Sequence, residues 1–237
     1  LTFYQKKSFW VQKTVGFLTI IFFGIATYNS GFSIDKKKPN SIVYIQNSDT
    51  KTAFYGTYNT TLDSYTKQVF DNETIKGSIK NAETKSKYNT RFKYHKKTDF
   101  KNISSSEVSI VMDTLIENRR FLEVEITPTR KINKLEFSTN NLLKLNQFKV
   151  NDVLVNNGKA YKVKKGLFLI YHLGNEDKKV TLSFFVNKKD SLNIVLNEIS
   201  YDLLTNPNFN IKPRTKKMMP MPFVTNDAII ITKKLPI

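Results

Sequence analysis

The chain has 237 residues and carries 38 Lys and Arg against 20 Asp and Glu, a formal charge of +18. That length suits one domain, or one domain with an appendage, and 40% hydrophobic with 13% aromatic residues excludes a wholly disordered chain. Zero cysteines exclude a disulfide scaffold, thiol catalysis, a thiolate zinc site and a lipoprotein anchor, and a first residue that is Leu1 reads as a fragment or a processed chain.

From Thr14 to Tyr28 the sequence TVGFLTIIFFGIATY runs for fifteen residues without a charge. Extended back through Phe9, Trp10 and Val11 it reaches 20 residues, and a spanning helix needs about 20. Lys13 can snorkel to the interface, Trp10 and Tyr28 sit where interfacial aromatics belong, and Phe17, Ile21 and Phe22 fill the apolar centre. Lys6, Lys7 and Lys13 precede the run and no acidic residue does, which predicts a cytoplasmic N-terminus. A signal peptide begins near a Met and ends in small residues, and this segment does neither cleanly. The expectation is a membrane helix with flanks and linker over residues 1–38, and an extracytoplasmic domain over 39–237.

Beyond the linker the pattern changes to period two. Ser41–Asn47 and Thr52–Tyr58 read as strands joined by the turn formers Asn47, Ser48 and Asp49. Leu62, Tyr65, Val69 and Phe70 fall near helical spacing and predict a short helix over Thr61–Asp71. Asn72–Asn89 is polar and aperiodic and reads as a mobile loop. Then Val108, Ile110 and Met112 alternate with polar or outward positions, as do Leu122, Val124 and Ile126, with a turn at Glu117-Asn118-Arg119 between the two runs. Leu135 and Phe137 begin another strand, and Asn156-Asn157-Gly158 reads as a hairpin turn. Leu167–Leu173, Val180–Val186, Leu192–Ile199 and Ala228–Thr232 complete the series. Short strands at turn-marked intervals predict an all-β, two-sheet β-sandwich, jelly-roll-like, with one N-terminal transmembrane helix.

Catalytic signatures are missing. The eight glycines form no GxGxxG, phosphate-cradling loop or GxSxG, and there is no HExxH. His95 lies in the basic run Tyr94-His95-Lys96-Lys97, and His172 at the end of an apolar strand, so neither predicts a metal site. Glu123 and Glu125 share one strand face roughly 7 Å apart, but Leu122, Val124 and Ile126 claim the core and leave them to solvent. Lysine pairs such as Lys164-Lys165, Lys178-Lys179 and Lys188-Lys189 punctuate apolar runs and read as solvated surface. Lys85–Lys101 interleaves Lys85, Lys87, Arg91, Lys93, Lys96, Lys97 and Lys101 with Tyr88, Phe92, Tyr94 and Phe100. That is the look of one exposed and one buried strand face. Nucleic acid is not expected as a partner, and a weak contact with anionic lipid headgroups fits better.

The most distinctive stretch is Asn206–Asp227, with Pro207, Pro213, Pro220 and Pro222 and no glycine. Prolines forbid ladder donation, which predicts an extended, non-sheet strap. Met218, Met219, Met221 and Phe223 must dock, either on the domain's own sandwich or on another domain, and Arg214 belongs to the same docking strap.

At this strap a resemblance enters. Tyr201-Asp202-Leu203-Leu204, Lys212-Pro213-Arg214, Met219-Pro220-Met221-Pro222-Phe223 and Asn226-Asp227-Ala228 resemble the C-terminal end of multi-pass membrane zinc metallopeptidases. These belong to the endoplasmic-reticulum metallopeptidase and vacuolar membrane protease group, relatives of aminopeptidase Y. Pro39-Asn40-Ser41-Ile42-Val43-Tyr44, Asp49 and Ala53-Phe54-Tyr55 are similar too. The family more often has Trp near Phe54 or Tyr55, and a second Pro where this chain has Thr215. The resemblance implies a last membrane helix followed by a noncatalytic accessory β-domain. Zinc and proteolysis would belong to an N-terminal exopeptidase domain with no matching position here, so no catalytic or metal residue and no cofactor is assigned to this chain. The implied partners are the lipid bilayer and the upstream membrane and peptidase domains. A membrane-anchored carbohydrate- or peptide-binding sandwich is the alternative.

Overall fold

In a computed structural model, the structure describes residues 2–79, 88, 90–174 and 178–237. The chain divides into two compact units, residues 1–39 with 214–219, and residues 40–213 with 220–237.

The first unit is dominated by helix α1 (Thr2–Asn29). It contains no proline, and its two glycines, Gly16 and Gly24, lie eight residues apart inside a continuous apolar run. The helix stops where Ser30 N–H reaches back to the Thr27 carbonyl at 3.2 Å. Lys36 Nζ donates to the Asn29 carbonyl at 3.1 Å, placing a cation on the negative end of the helix dipole. Strand β1 (Lys38–Asn40) follows, and Lys38 N–H donates to the Lys217 carbonyl at 2.8 Å.

The second unit is mostly β. In chain order it contains β2 (Val43–Asn47), β3 (Thr52–Thr57), β4 (Ile75–Lys76), β5 (Tyr94–Thr98), β6 (Glu107–Ile116), β7 (Arg119–Thr127), β8 (Lys134–Thr139) and β9 (Leu143–Val150). After these come β10 (Val153–Leu154), β11 (Tyr161–Val163), β12 (Gly166–His172), β13 (Val180–Asn187), β14 (Ile194–Ser200) and β16 (Ala228–Lys234), while β15 (Met218–Pro220), which precedes β16 in the chain, has Met218 and Met219 in the first unit. One sheet runs β12-β8-β14-β16-β2-β3-β5-β4, the other β10-β9-β13-β7-β6 with β11 also on β9, and β1 pairs with β15. Within the two large sheets every pair is antiparallel except β16 with β2. From β7 to β9 and again from β11 to β14 the chain passes back and forth between the sheets, as a two-sheet sandwich requires.

The sandwich core lies between them. Leu122, Val124 and Ile126 of β7 with Leu182 and Phe184 of β13 face Leu135 and Phe137 of β8 and Leu196 of β14, all buried. The larger sheet is covered on its other face too, where Val43, Ile45, Tyr58, Phe92, Ile199 and Ile230 form a second core. Burial on both faces explains the unbroken apolar run Ala228-Ile229-Ile230-Ile231 in β16, whose residues would otherwise alternate.

Several local expectations change. Thr61–Asp71 holds a single 3-10 turn, Thr66–Gln68, in place of a short helix. Asp63 Oδ1 accepts from the backbone N–H groups of Tyr65 at 3.1 Å and Thr66 at 3.0 Å, competing with helix formation. The spacing did mark the buried side chains, Tyr65 and Phe70. Asn72–Asn89 is partly strand, because β4 pairs with β5; residues 80–87 and 89 of that segment lie outside the described residues. Asn156-Asn157-Gly158 has positive φ but is no hairpin turn, since β10 and β11 both pair with β9. The hairpin turn is Asn151-Asp152, with φ of 48° and 64°. Glu117-Asn118 turns β6 into β7 with the same left-handed pair, 47° and 63°. The strap also contributes strand: Met218–Pro220 forms β15, and a proline at the last position removes no inner ladder donor.

Candidate functional site

Helix α1 is long and apolar enough over Phe9–Asn29 to cross a membrane by length and composition, and none of that stretch is buried. It has the character of a single membrane anchor or a signal sequence. Trp10 is 74% exposed, Phe17 64%, Ile21 39%, Phe22 64% and Tyr28 89%, so apolar side chains cover all sides of the helix and define no core-facing stripe. Three of its threonine hydroxyls are satisfied within the helix. Thr14 Oγ1 donates to the Trp10 carbonyl at 2.9 Å, Thr19 to Val15 at 2.8 Å and Thr27 to Phe23 at 2.8 Å. In hydrocarbon this back-bonding removes the cost of an unpaired hydroxyl. Lys13 Nζ lies 4.3 Å from the Phe9 ring centroid, near the start of the apolar stretch.

The strap residues separate into two groups. In the first unit Arg214 and Met218 are half-buried and Met219 is 37% exposed. In the second, Met221 packs on the outer core beside Phe54 and Val224. Phe223 is 70% exposed, and the Tyr88 ring lies edge-on to it at 5.5 Å. Met221 thus docks on the domain's own β-structure, while Phe223 leaves most of its ring uncovered.

The titratable candidates resolve as follows. His95 donates from Nδ1 to the Gly77 carbonyl at 2.9 Å and packs edge-on to Phe54; His172 is an exposed strand end. Glu123 and Glu125 point away from the sandwich core, and Lys179 Nζ binds Glu125 at 2.7 Å. Of the basic–aromatic run, Lys85 and Lys87 lie outside the described residues; Phe92 is buried in the outer core, and Lys96 pairs with Asp71 and Glu73.

One charged cluster was not singled out from the sequence. Glu198 on β14 is fully buried on the sandwich side and accepts from Ser106 N–H at 2.8 Å. Burial pushes its carboxyl up from the ordinary glutamate range, against the opposing pull of that hydrogen bond and of Arg130. Arg130 donates to Ser200 Oγ at 2.5 Å, and burial holds its guanidinium below the usual arginine range. The sequence did carry a signal, because the alternation Ile194, Leu196, Glu198 sets a carboxylate on the core face. The cluster ties the start of β6 and the segment before β8 to β14, which is a structural task.

Among the described residues no group of three or more His, Asp or Glu side chains is placed to hold a metal ion. No protein-family model matches this chain. No curated protein is significantly similar to it. What the structure offers is an exposed apolar helix followed by a β-sandwich, with some of its charged groups held in ion pairs.

Proposed function

We propose that this chain is the membrane-anchored accessory β-domain of a zinc exopeptidase, with proteolysis carried by a domain N-terminal to it. The observation that carries the reading is the apolar helix Phe9–Asn29, exposed along its length and followed by a β-sandwich. This is the order of elements that the strap motifs resemble. On an insertion scale each central Ile, Leu, Phe or Val contributes about −0.3 to −0.6 kcal/mol, so a charge-free run from Thr14 to Tyr28 favours the bilayer. The basic N-terminal flank sets the β-domain on the non-cytoplasmic side of a multi-pass parent. There the sandwich caps the membrane region and orients or shelters the peptidase, and its own residues take no part in bond cleavage.

Two measurements test this. The reading frame upstream of Leu1 is expected to encode an HxD-bearing exopeptidase region followed by further hydrophobic spans; a start codon directly before Leu1 contradicts the reading. Calorimetry on the purified chain is expected to give no zinc binding at micromolar affinity, and tight zinc uptake by this chain alone would defeat the accessory role.

A further inference from the structure

A cavity of about 470 Å³ opens at the β4–β5 corner of the larger sheet, with Lys76, Arg91 and Lys93 on its walls together with the hydroxyl residues Thr60 and Ser78 and the Tyr94 ring. Among the described residues no acidic side chain lines it. We propose that it is a binding site for a phosphate-bearing ligand.

The charge pattern motivates the assignment. Some basic side chains of this domain are matched, Arg120 with Asp113 at 2.8 Å, Lys134 with Glu136 at 2.6 Å, Lys179 with Glu125 at 2.7 Å and Lys96 with Asp71. With 38 basic against 20 acidic residues many are not, and what distinguishes Lys76, Arg91 and Lys93 is that they share one cavity. Among the described residues Lys76, Arg91 and Lys93 have no carboxylate within 4.0 Å. Three like charges around one concavity repel one another, and an anion between them removes that repulsion. Walls of one sign also focus the field and draw in anions.

The walls are held in place before any ligand arrives. Lys76 lies directly opposite Tyr94 in the β4–β5 register. Gly77 N–H donates to the Lys93 carbonyl at 2.7 Å, Lys93 N–H to the Thr57 carbonyl at 2.8 Å, and the Tyr94 hydroxyl to the Thr60 carbonyl at 3.1 Å. Gly77 has φ of +119°, a conformation that side chains rarely adopt, and it turns the chain at the cavity wall. Phe92 is 4% exposed and stacks on Tyr58 at 4.5 Å, which gives the cavity a rigid apolar base.

The donor set points to phosphate. A guanidinium offers paired N–H groups to two oxygens of one phosphate, two ammonium groups supply point charge, and two hydroxyls complete an oxyanion shell. The volume exceeds that of a bare phosphate ion, and the Tyr94 ring offers a face to a sugar- or inositol-sized group. Such chemistry occurs both in soluble phosphate esters and in phosphoinositide headgroups.

The test uses the full chain in phosphatidylcholine nanodiscs. One arm titrates soluble inositol 1,4,5-trisphosphate; the other replaces part of the lipid with phosphatidylinositol 4,5-bisphosphate. The variant K76Q/R91Q/K93Q is compared with K178Q/K188Q/K189Q, which removes the same charge from exposed lysines elsewhere. Saturable binding is expected, about tenfold or more weaker in the cavity variant and nearly unchanged in the control, with both variants melting like the wild type. Binding in the soluble arm shows that the phosphorylated group suffices without a membrane, and binding confined to the second arm identifies the membrane-held headgroup as the ligand. No saturable binding in either arm, or an equal loss in the control variant, overturns the proposal, because the net charge of +18 would then account for any association.

Discussion

The two sheets of the sandwich end in opposite ways. The smaller one ends at β6, ten residues long with two carboxylates and no basic residue. Ile110, Val111, Met112, Leu115 and Ile116 are all between 42% and 53% exposed there. The larger one ends at β4, two residues long, beside the lysine-bearing β5. Short length and lysine are the usual protection of a sheet edge against pairing with another chain. The second edge has both and the first has neither, relying on the register shift between Ile110 and Met112. In a chain so rich in lysine, its absence from this strand leaves the edge without the usual guard against pairing with another chain. The cationic edge is also the better supported one, since Phe92 beside it belongs to the outer core.

That contrast can be broken by mutation. Phe92→Ala removes a buried ring stacked on Tyr58 and is expected to cost about 3–5 kcal/mol in urea unfolding. Leu115→Ala on the apolar edge should stay within about 0.5 kcal/mol; equal losses would mean that the two edges are supported alike. Gly56→Ala comes next. A Cβ there would lie 2.9 Å from the Phe92 ring, and the overpacking should cost about 1–3 kcal/mol by the same measurement.

Glu198 tests the mooring of β6, because it accepts from Ser106 immediately before that strand. Its folded carboxyl is raised by burial, so the fold binds its proton more tightly than the unfolded chain does. The stability linked to it is complete below the ordinary glutamate range and is lost as pH rises through the raised folded value. Across that rise Glu198→Gln should gain on the wild type in urea midpoint, and a difference that stays flat with pH would contradict the assignment. The smallest effect is expected from Val111→Lys, within about 0.5 kcal/mol in stability. Light scattering should nevertheless show weaker concentration-dependent association, and unchanged association would remove β6 as the exposed edge.

Much of the fold was legible because burial on one face imposes period two, as in Leu122, Val124 and Ile126. Strand β9 was not. Its apolar residues Leu143, Leu145, Phe148 and Val150 slip phase at Gln147, which has φ of +48° where the register with β13 shifts. The parallel pairing of β16 with β2 joins segments 185 residues apart in their first paired positions, Val43 and Ala228, and no local pattern encodes it. The cationic cavity was half legible: Arg91 and Lys93 stood out in a basic run, but Lys76 joins them only through the β4–β5 ladder. The apolar helix was the most legible element, because a long uncharged apolar run has few stable surroundings in water.

The most direct test of the membrane-anchored reading is topology in microsomes. With the chain tagged at its C-terminus and expressed in membranes, the anchored reading predicts that it stays in the pellet after alkaline carbonate extraction, with the β-domain protected from added protease until detergent is present. Release into the carbonate supernatant, or a β-domain cleaved in intact vesicles, would contradict it.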